Sequence, residues 1–265
     1  MRAFFQNRLV RWVLAPALVL SALGWGYFQI NYPTCTFRYK LTAEVMTPDG
    51  LKTGSSVVEV SYTTQSAPLS QGGRFDSVLG EATYVDLGDS KNLFVILGTL
   101  DSAQPVQHWY SPNMSSPLIE PSEYKKMNGA LDPIWLPIKI FRLGRTPGNE
   151  REMCLRVAKL YGQPAEAVPL ENLPTLVTFS DLDQPLTAKA VNPTDLPMAF
   201  GEGYSLSAKI QITTDDITHV IDNFLPWAIT DDRKALYDNG REINRLTRQW
   251  FYKTNQKLER SYLAN

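Results

Sequence analysis

The sequence predicts an α+β fold: an N-terminal transmembrane helix followed by an ectodomain built on mainly antiparallel β-sheet with a few short helices. Three observations carry that expectation. Arg2, Arg8 and Arg11 precede a charge-free apolar run over residues 12–30. From residue 36 onwards, Val, Tyr, Thr and Phe alternate with polar residues between glycine-marked turns, the period of strands with one buried face. The connections between those runs are short, as antiparallel neighbours require.

The apolar run of 19 residues, at 1.5 Å rise per residue, nearly spans a hydrocarbon core of about 30 Å. Arginines stay cytoplasmic and no Lys or Arg follows until Arg38, so the remaining chain is expected across the membrane, in the periplasm of a bacterium. Residues 1–31 thus read as a cytoplasmic stub and single-pass inner-membrane anchor. The competing reading is a cleaved signal, for which Ala22 and Gly24 offer the small pair. The run continues past them through Trp25, Tyr27 and Phe28, aromatics suited to headgroup depth, which favours retention. Pro16 lies inside the run, where membrane helices tolerate it.

In the ectodomain, residues 36–228, the first strand places Phe37, Tyr39, Leu41, Ala43 and Val45 on one face. Pro48, Asp49 and Gly50 make a turn. Further strands are expected over 56–62, 81–87 and 93–97, with Gly72 and Gly73 in a loop, which together make a four-stranded meander. Seven prolines between Pro105 and Pro147 forbid a long helix through 101–150, leaving a wrapped excursion with short helical turns. Residues 150–161 read as a helix with Met153, Val157 and Leu160 on one side, stopped by Gly162 and Pro164. A second β unit, 174–228, carries strands over 175–179, 186–191 and 204–213, then a short helix over 215–224. The tail, 229–265, reads as helical and basic, with eight basic and five acidic residues over 231–260 and Ile243, Leu246 and Trp250 on one face. Docking on anionic lipid and packing on its own domain both fit that face.

Composition narrows the function classes. With Arg2, Arg8 and Arg11 set aside, 23 basic residues face 27 acidic ones. A mildly acidic ectodomain argues against nucleic acid, which needs clustered Lys and Arg to release phosphate counterions. Cys35 and Cys154 are the only cysteines. In an oxidising compartment they are a disulfide candidate, and two separate thiols are the alternative. The expected direct partner is the lipid bilayer, with an envelope protein as a further one, and neither cofactor nor metal is expected.

Two stretches resemble a group of uncharacterised bacterial membrane-anchored or exported proteins. One is Arg38, Tyr39, Lys40, Leu41, Thr42, Ala43, Glu44, Val45, Met46, Thr47, Pro48, Asp49 and Gly50, followed by Gly54, Ser55, Ser56, Val57 and Glu59, then Gly80, Glu81, Ala82, Val85 and Asp86. The other comprises Leu176, Val177, Phe179 and Asp181, then Phe200, Gly201 and Gly203, then Thr214, Asp215, Asp216, Leu225, Pro226 and Trp227. The resemblance covers roughly residues 36–100 and 174–228 and implies a shared fold, with no activity attached.

Each chemical candidate meets a structural alternative. Ser55, beside Gly54, lacks the second glycine of a nucleophile elbow, because Val57 and Val58 follow. His219 reads as a structural histidine in a helix. Asp181 and Asp183 lack the glycine and distal glutamate of a calcium loop and read as turn caps. Asp215 and Asp216 read as helix N-terminal acids. Gly201 and Gly203 lack the third glycine of a nucleotide loop. His108, Trp109 and Tyr110, adjacent in the proline-rich excursion, are the candidate binding residues. The expected function is a non-catalytic binding or scaffolding module of the cell envelope. The alternative is an envelope hydrolase assembled from His108, Ser55 and Asp86.

Overall fold

The computed structural model of the chain describes residues 16–24, 26–27, 34–65, 73–97, 133–146, 148–184, 187–225 and 252–253. These form mainly antiparallel β-sheet with a few short helices. Strand β1 (Thr34–Thr47) turns through Pro48 and Asp49 into β2 (Gly50–Gln65), which precedes β3 (Gly73–Glu81). Then come β4 (Thr83–Gly88), β5 (Lys91–Val95), helix α1 (Trp135–Ile140) and helix α2 (Glu150–Ala158). The chain continues with β6 (Glu166–Ala167), β7 (Leu176–Phe179), β8 (Ala188–Val191), α3 (Leu196–Phe200), β9 (Ser205–Thr213) and β10 (Tyr252–Lys253).

Two sheets result, one in the order β10-β3-β2-β1-β9-β6 and one in the order β4-β5-β7-β8. The alternation of β1 does what its period dictates. Cys35, Phe37, Tyr39, Leu41, Ala43 and Val45 are all buried in the main core, and the residues between them face a polar surface. Helix α2 packs on β1 and β2, and the second sheet covers the same face of the first through β4. Strand β5 is apolar without alternation because it is buried on both sides. Leu93 and Val95 enter the main core, while Phe94 and Ile96 join Phe179, Ile221 and Leu225 in a second cluster.

The four-stranded meander is not what forms. The expected third strand, 81–87, spans a break at Ala82, where the chain leaves the first sheet and enters the second. Two groups fix that crossing. Glu81, 1% exposed, has its carboxylate oxygens taken by the backbone N–H groups of Val220 and Ile221. Thr83 shares a hydrogen bond with the Ser56 hydroxyl at 2.6 Å. Strand β2 lies so close to β4 that a Cβ on Gly54 would meet the Tyr84 carbonyl oxygen at 1.8 Å. Only glycine fits there.

The helix expected over 215–224 is also absent. Residues 214–220 are irregular and only Ile221–Asn223 make a 3₁₀ turn. Side chains satisfy this segment in place of a helical ladder. Arg38 donates to the Asp215 carbonyl and to Asp216, and the Thr218 hydroxyl accepts from Val57 N at 2.8 Å. The tail differs likewise: Tyr252 and Lys253 are extended and pair antiparallel with Glu81 and Gly80, which excludes a helix through them. Strands from 34–97 and from 166–213 contribute to both sheets, β9 beside β1 and β7 beside β5. At the N-terminus, residues 16–24 are helical, and among the described residues no helix is long and apolar enough to cross a membrane. Nine residues rise only about 14 Å.

Candidate functional site

The densest buried polar chemistry among the described residues lies where β2, β3 and the N-terminus of α2 meet. Gly144 and Gly148, both at positive φ, shape the loop between α1 and α2 and set Arg145 inward. Its side chain is 1% exposed, as buried as the core around it. Arg145 donates from Nη2 to Asp76 Oδ1 at 2.8 Å and from Nη1 to Glu150, whose side chain is 0% exposed. The guanidinium also lies over the Tyr62 ring, 5.5 Å from its centroid. Thr64 donates to the same Glu150 oxygen. Arg145 Nε and Glu150 Oε2 have no hydrogen-bond partner among the described residues.

A buried cation without acids costs several kcal/mol, so the three charges stand or fall together. What they do here is mechanical: Thr64, Asp76 and Glu150 come from β2, β3 and α2, and one guanidinium ties all three elements. Two tyrosines extend the clamp. Tyr39 donates its hydroxyl to the Pro133 carbonyl at 3.1 Å, and Tyr62 donates to the Ile134 carbonyl. Both hold the point at which the described chain resumes after residue 97. Cys35 and Cys154 are joined by a disulfide with Cα atoms 5.5 Å apart, which fastens α2 to the start of β1.

The second sheet shows the same use of polar groups. Asn92, 3% exposed, donates from Nδ2 to the Phe179 carbonyl and accepts Phe179 N–H on Oδ1, both at 2.8 Å. Its amide takes the place of a ladder pair just beyond the Phe94–Val177 register. Tyr84 lies 4.0 Å from Phe224 and 4.9 Å from Phe94, between ring centroids. Burial, and then the charge of Asp86, push its phenol above the ordinary value of 10.0. On the polar face of the first sheet, the hydrogen bond from Lys209 holds Glu44 below its ordinary value, and Glu59 raises Arg38 above its own.

The described residues singled out from the sequence are dispersed. Ser55 is exposed on β2 opposite Thr42, while its neighbour Ser56 turns inward to Thr83. Asp86 is exposed and accepts from Gly88 N at 2.9 Å. No hydrogen bond joins Ser55 to Asp86 among the described residues. His108, Trp109 and Tyr110 lie outside the described residues. His219 is exposed in the irregular 214–220 segment, not a core histidine of a helix. Asp181 caps its turn by accepting from Asp183 N at 2.9 Å. Gly201 and Gly203, at φ 99° and 87°, flank the turn between α3 and β9. Asp215 and Asp216 pair with Lys40 and Arg38. Among the described residues no group of three or more His, Cys, Asp or Glu is placed to hold a metal.

Arg145, Asp76 and Glu150 escaped sequence reasoning. Asp76 is separated from Arg145 by 69 positions, and Glu150 reads alone as a first-turn acid favoured by the helix dipole. The available signal was an arginine between Gly144 and Gly148, in a loop too tightly turned for a long side chain to be idle.

No protein-family model matches the chain, and neither a curated protein nor a solved structure matches it.

Proposed function

We propose that the chain is a single-pass inner-membrane protein, N-terminus cytoplasmic, whose periplasmic domain is a non-catalytic binding or scaffolding module. The likeness to uncharacterised anchored or exported bacterial proteins belongs to this proposal. The observation that carries it is the Cys35–Cys154 disulfide, which begins directly beyond the apolar segment and is the kind of bond that forms and persists in oxidising compartments. The helical residues of that segment support it: Leu18, Val19, Leu20 and Leu23 are 57–70% exposed, apolar surface suited to hydrocarbon. The buried polar side chains support the module, since Tyr39, Tyr62, Glu81 and Asn92 each hold the backbone of another segment. His108, Trp109 and Tyr110 are its proposed contact residues.

Alkaline phosphatase fused after Asn265 tests the address. Active phosphatase in intact cells is expected, and an inactive fusion with both cysteines open to alkylation overturns it. Cross-linking from intact membranes tests the role. A specific envelope protein captured by the wild type and lost in the His108→Ala, Trp109→Ala, Tyr110→Ala triple variant is expected. Capture unaffected by the substitutions overturns the assignment to those residues.

A further inference from the structure

Helix α2 is tied to the first sheet at two places one turn apart. Glu150, in its first turn, accepts hydrogen bonds from Arg145 and from Thr64 of β2, and Cys154, four residues on, is bonded to Cys35 of β1. The two spacings agree. Glu150 to Cys154 is an advance of about 6 Å along a helix, and Thr64 to Tyr62 is an advance of about 7 Å along one face of β2. Tyr62 stands opposite Cys35 in the β1–β2 register, and the Arg145 guanidinium lies over its ring, 5.5 Å from the centroid. Seating Glu150 on Thr64 therefore brings Cys154 to the row that Cys35 occupies. Apolar packing is non-directional and does not fix that register. Helix α2 has nine residues with Met153 and Val157 as its buried apolar side chains, whereas an isolated helix needs about 12–15 residues to persist.

We propose that Arg145, Asp76 and Glu150 are positioning residues for the Cys35–Cys154 bond: the clamp seats α2 first, and oxidation then seals a helix already in place. The clamp needs no oxidant, since its three charges and Thr64 pair as soon as β2, β3 and α2 meet. The covalent step takes a small disulfide of the glutathione type as its oxidant. Cys154, half-buried where Cys35 is 0% exposed, attacks as the thiolate; one sulfur of the oxidant stays on it as a mixed disulfide and the other leaves as a thiol. Cys35, as its thiolate, then attacks Cys154 Sγ and the second thiol leaves. Two electrons pass from the protein to the oxidant, and the two cysteine protons end on the two departing thiols. The second exchange is intramolecular, so its rate and equilibrium follow the effective concentration of Cys35 at Cys154, which the clamp sets. This order of events holds in the purified chain, whatever its address.

Purified full-length protein, reduced by a dithiol and transferred to a glutathione redox buffer, tests this order. Thiol trapping and mass spectrometry read the bridged fraction and the mixed disulfide. Arg145→Met is expected to lower the equilibrium constant for the bridge at least about tenfold and to accumulate the mixed disulfide at Cys154. Glu150→Ala, which unties α2 but leaves Arg145 paired with Asp76, is expected to lower it at least about fivefold, and it decides the matter if Arg145→Met does not fold. Asn92→Ala unties β5 from Phe179 in the second sheet and is expected to leave the constant within about twofold of the wild type. A constant unchanged in Glu150→Ala overturns the proposal. An equal fall in all the variants overturns it too, because the bridge then follows global stability and not the seating of α2.

Discussion

At the scale of single residues, the fold is most exacting where two backbones touch. Gly54→Ala drives a Cβ into the Tyr84 carbonyl and forces β2 from β4. A loss of about 3 kcal/mol is expected, the upper end of overpacking costs, read as a lower urea midpoint with unchanged slope. Tyr84 itself carries a pH dependence. Its phenol sits above the ordinary 10.0 because burial disfavours the phenolate. The folded state therefore holds its proton longer than the unfolded chain does. That stability is whole below the unfolded value and is lost as pH rises through the raised one. Urea midpoints followed from pH 9 upwards are expected to fall less steeply in Tyr84→Phe, and parallel decline in both proteins would refute this. Gly54 stood out in the sequence as the neighbour of a serine and as one residue of the resemblance. Its true constraint is a carbonyl 30 positions away, which no local pattern announces.

At the scale of elements, the clamp of Arg145, Asp76 and Glu150 holds α2 to β2 and β3. Removing one member strands the others: Arg145→Met is expected to cost about 3–5 kcal/mol in urea unfolding. Adding Glu150→Leu is expected to recover part of that loss, because the orphaned carboxylate goes with it. A double variant less stable than the single one would show that the pair is held by more than its own charges. Strands with one wet face were legible, since β1 and β9 keep strict alternation and the 176–179 and 188–191 strands lie within two residues of their expected bounds. The break at Ala82 was not, because Glu81, Ala82 and Thr83 continue an alternating pattern with no Gly or Pro between them. The 215–224 helix failed for a related reason. Its apolar spacing was real, but the Arg38 guanidinium, the Val57 carbonyl and the Glu81 carboxylate, all far away in sequence, took its backbone groups first.

At the scale of the whole molecule, one disulfide closes a loop of 119 positions. In the chain-entropy account such a crosslink stabilises by about 4–5 kcal/mol. The Cys35→Ala, Cys154→Ala variant is expected to lose a comparable amount in urea, with α2 the first element to exchange its amides. The α+β class and the antiparallel character were readable from composition and turns. The division into two sheets was not, because it depends on which distant strand each edge meets. The central position of β1 bears on how the chain is made. Its second neighbour, β9, begins with Ser205 opposite Met46. At roughly 5–20 residues per second, the intervening stretch takes roughly 8–32 s to emerge from the ribosome. For all that time the most regular strand of the molecule presents a bare edge to its surroundings. Whatever shields that edge of β1 until β9 has been made therefore bears on the yield of the folded protein.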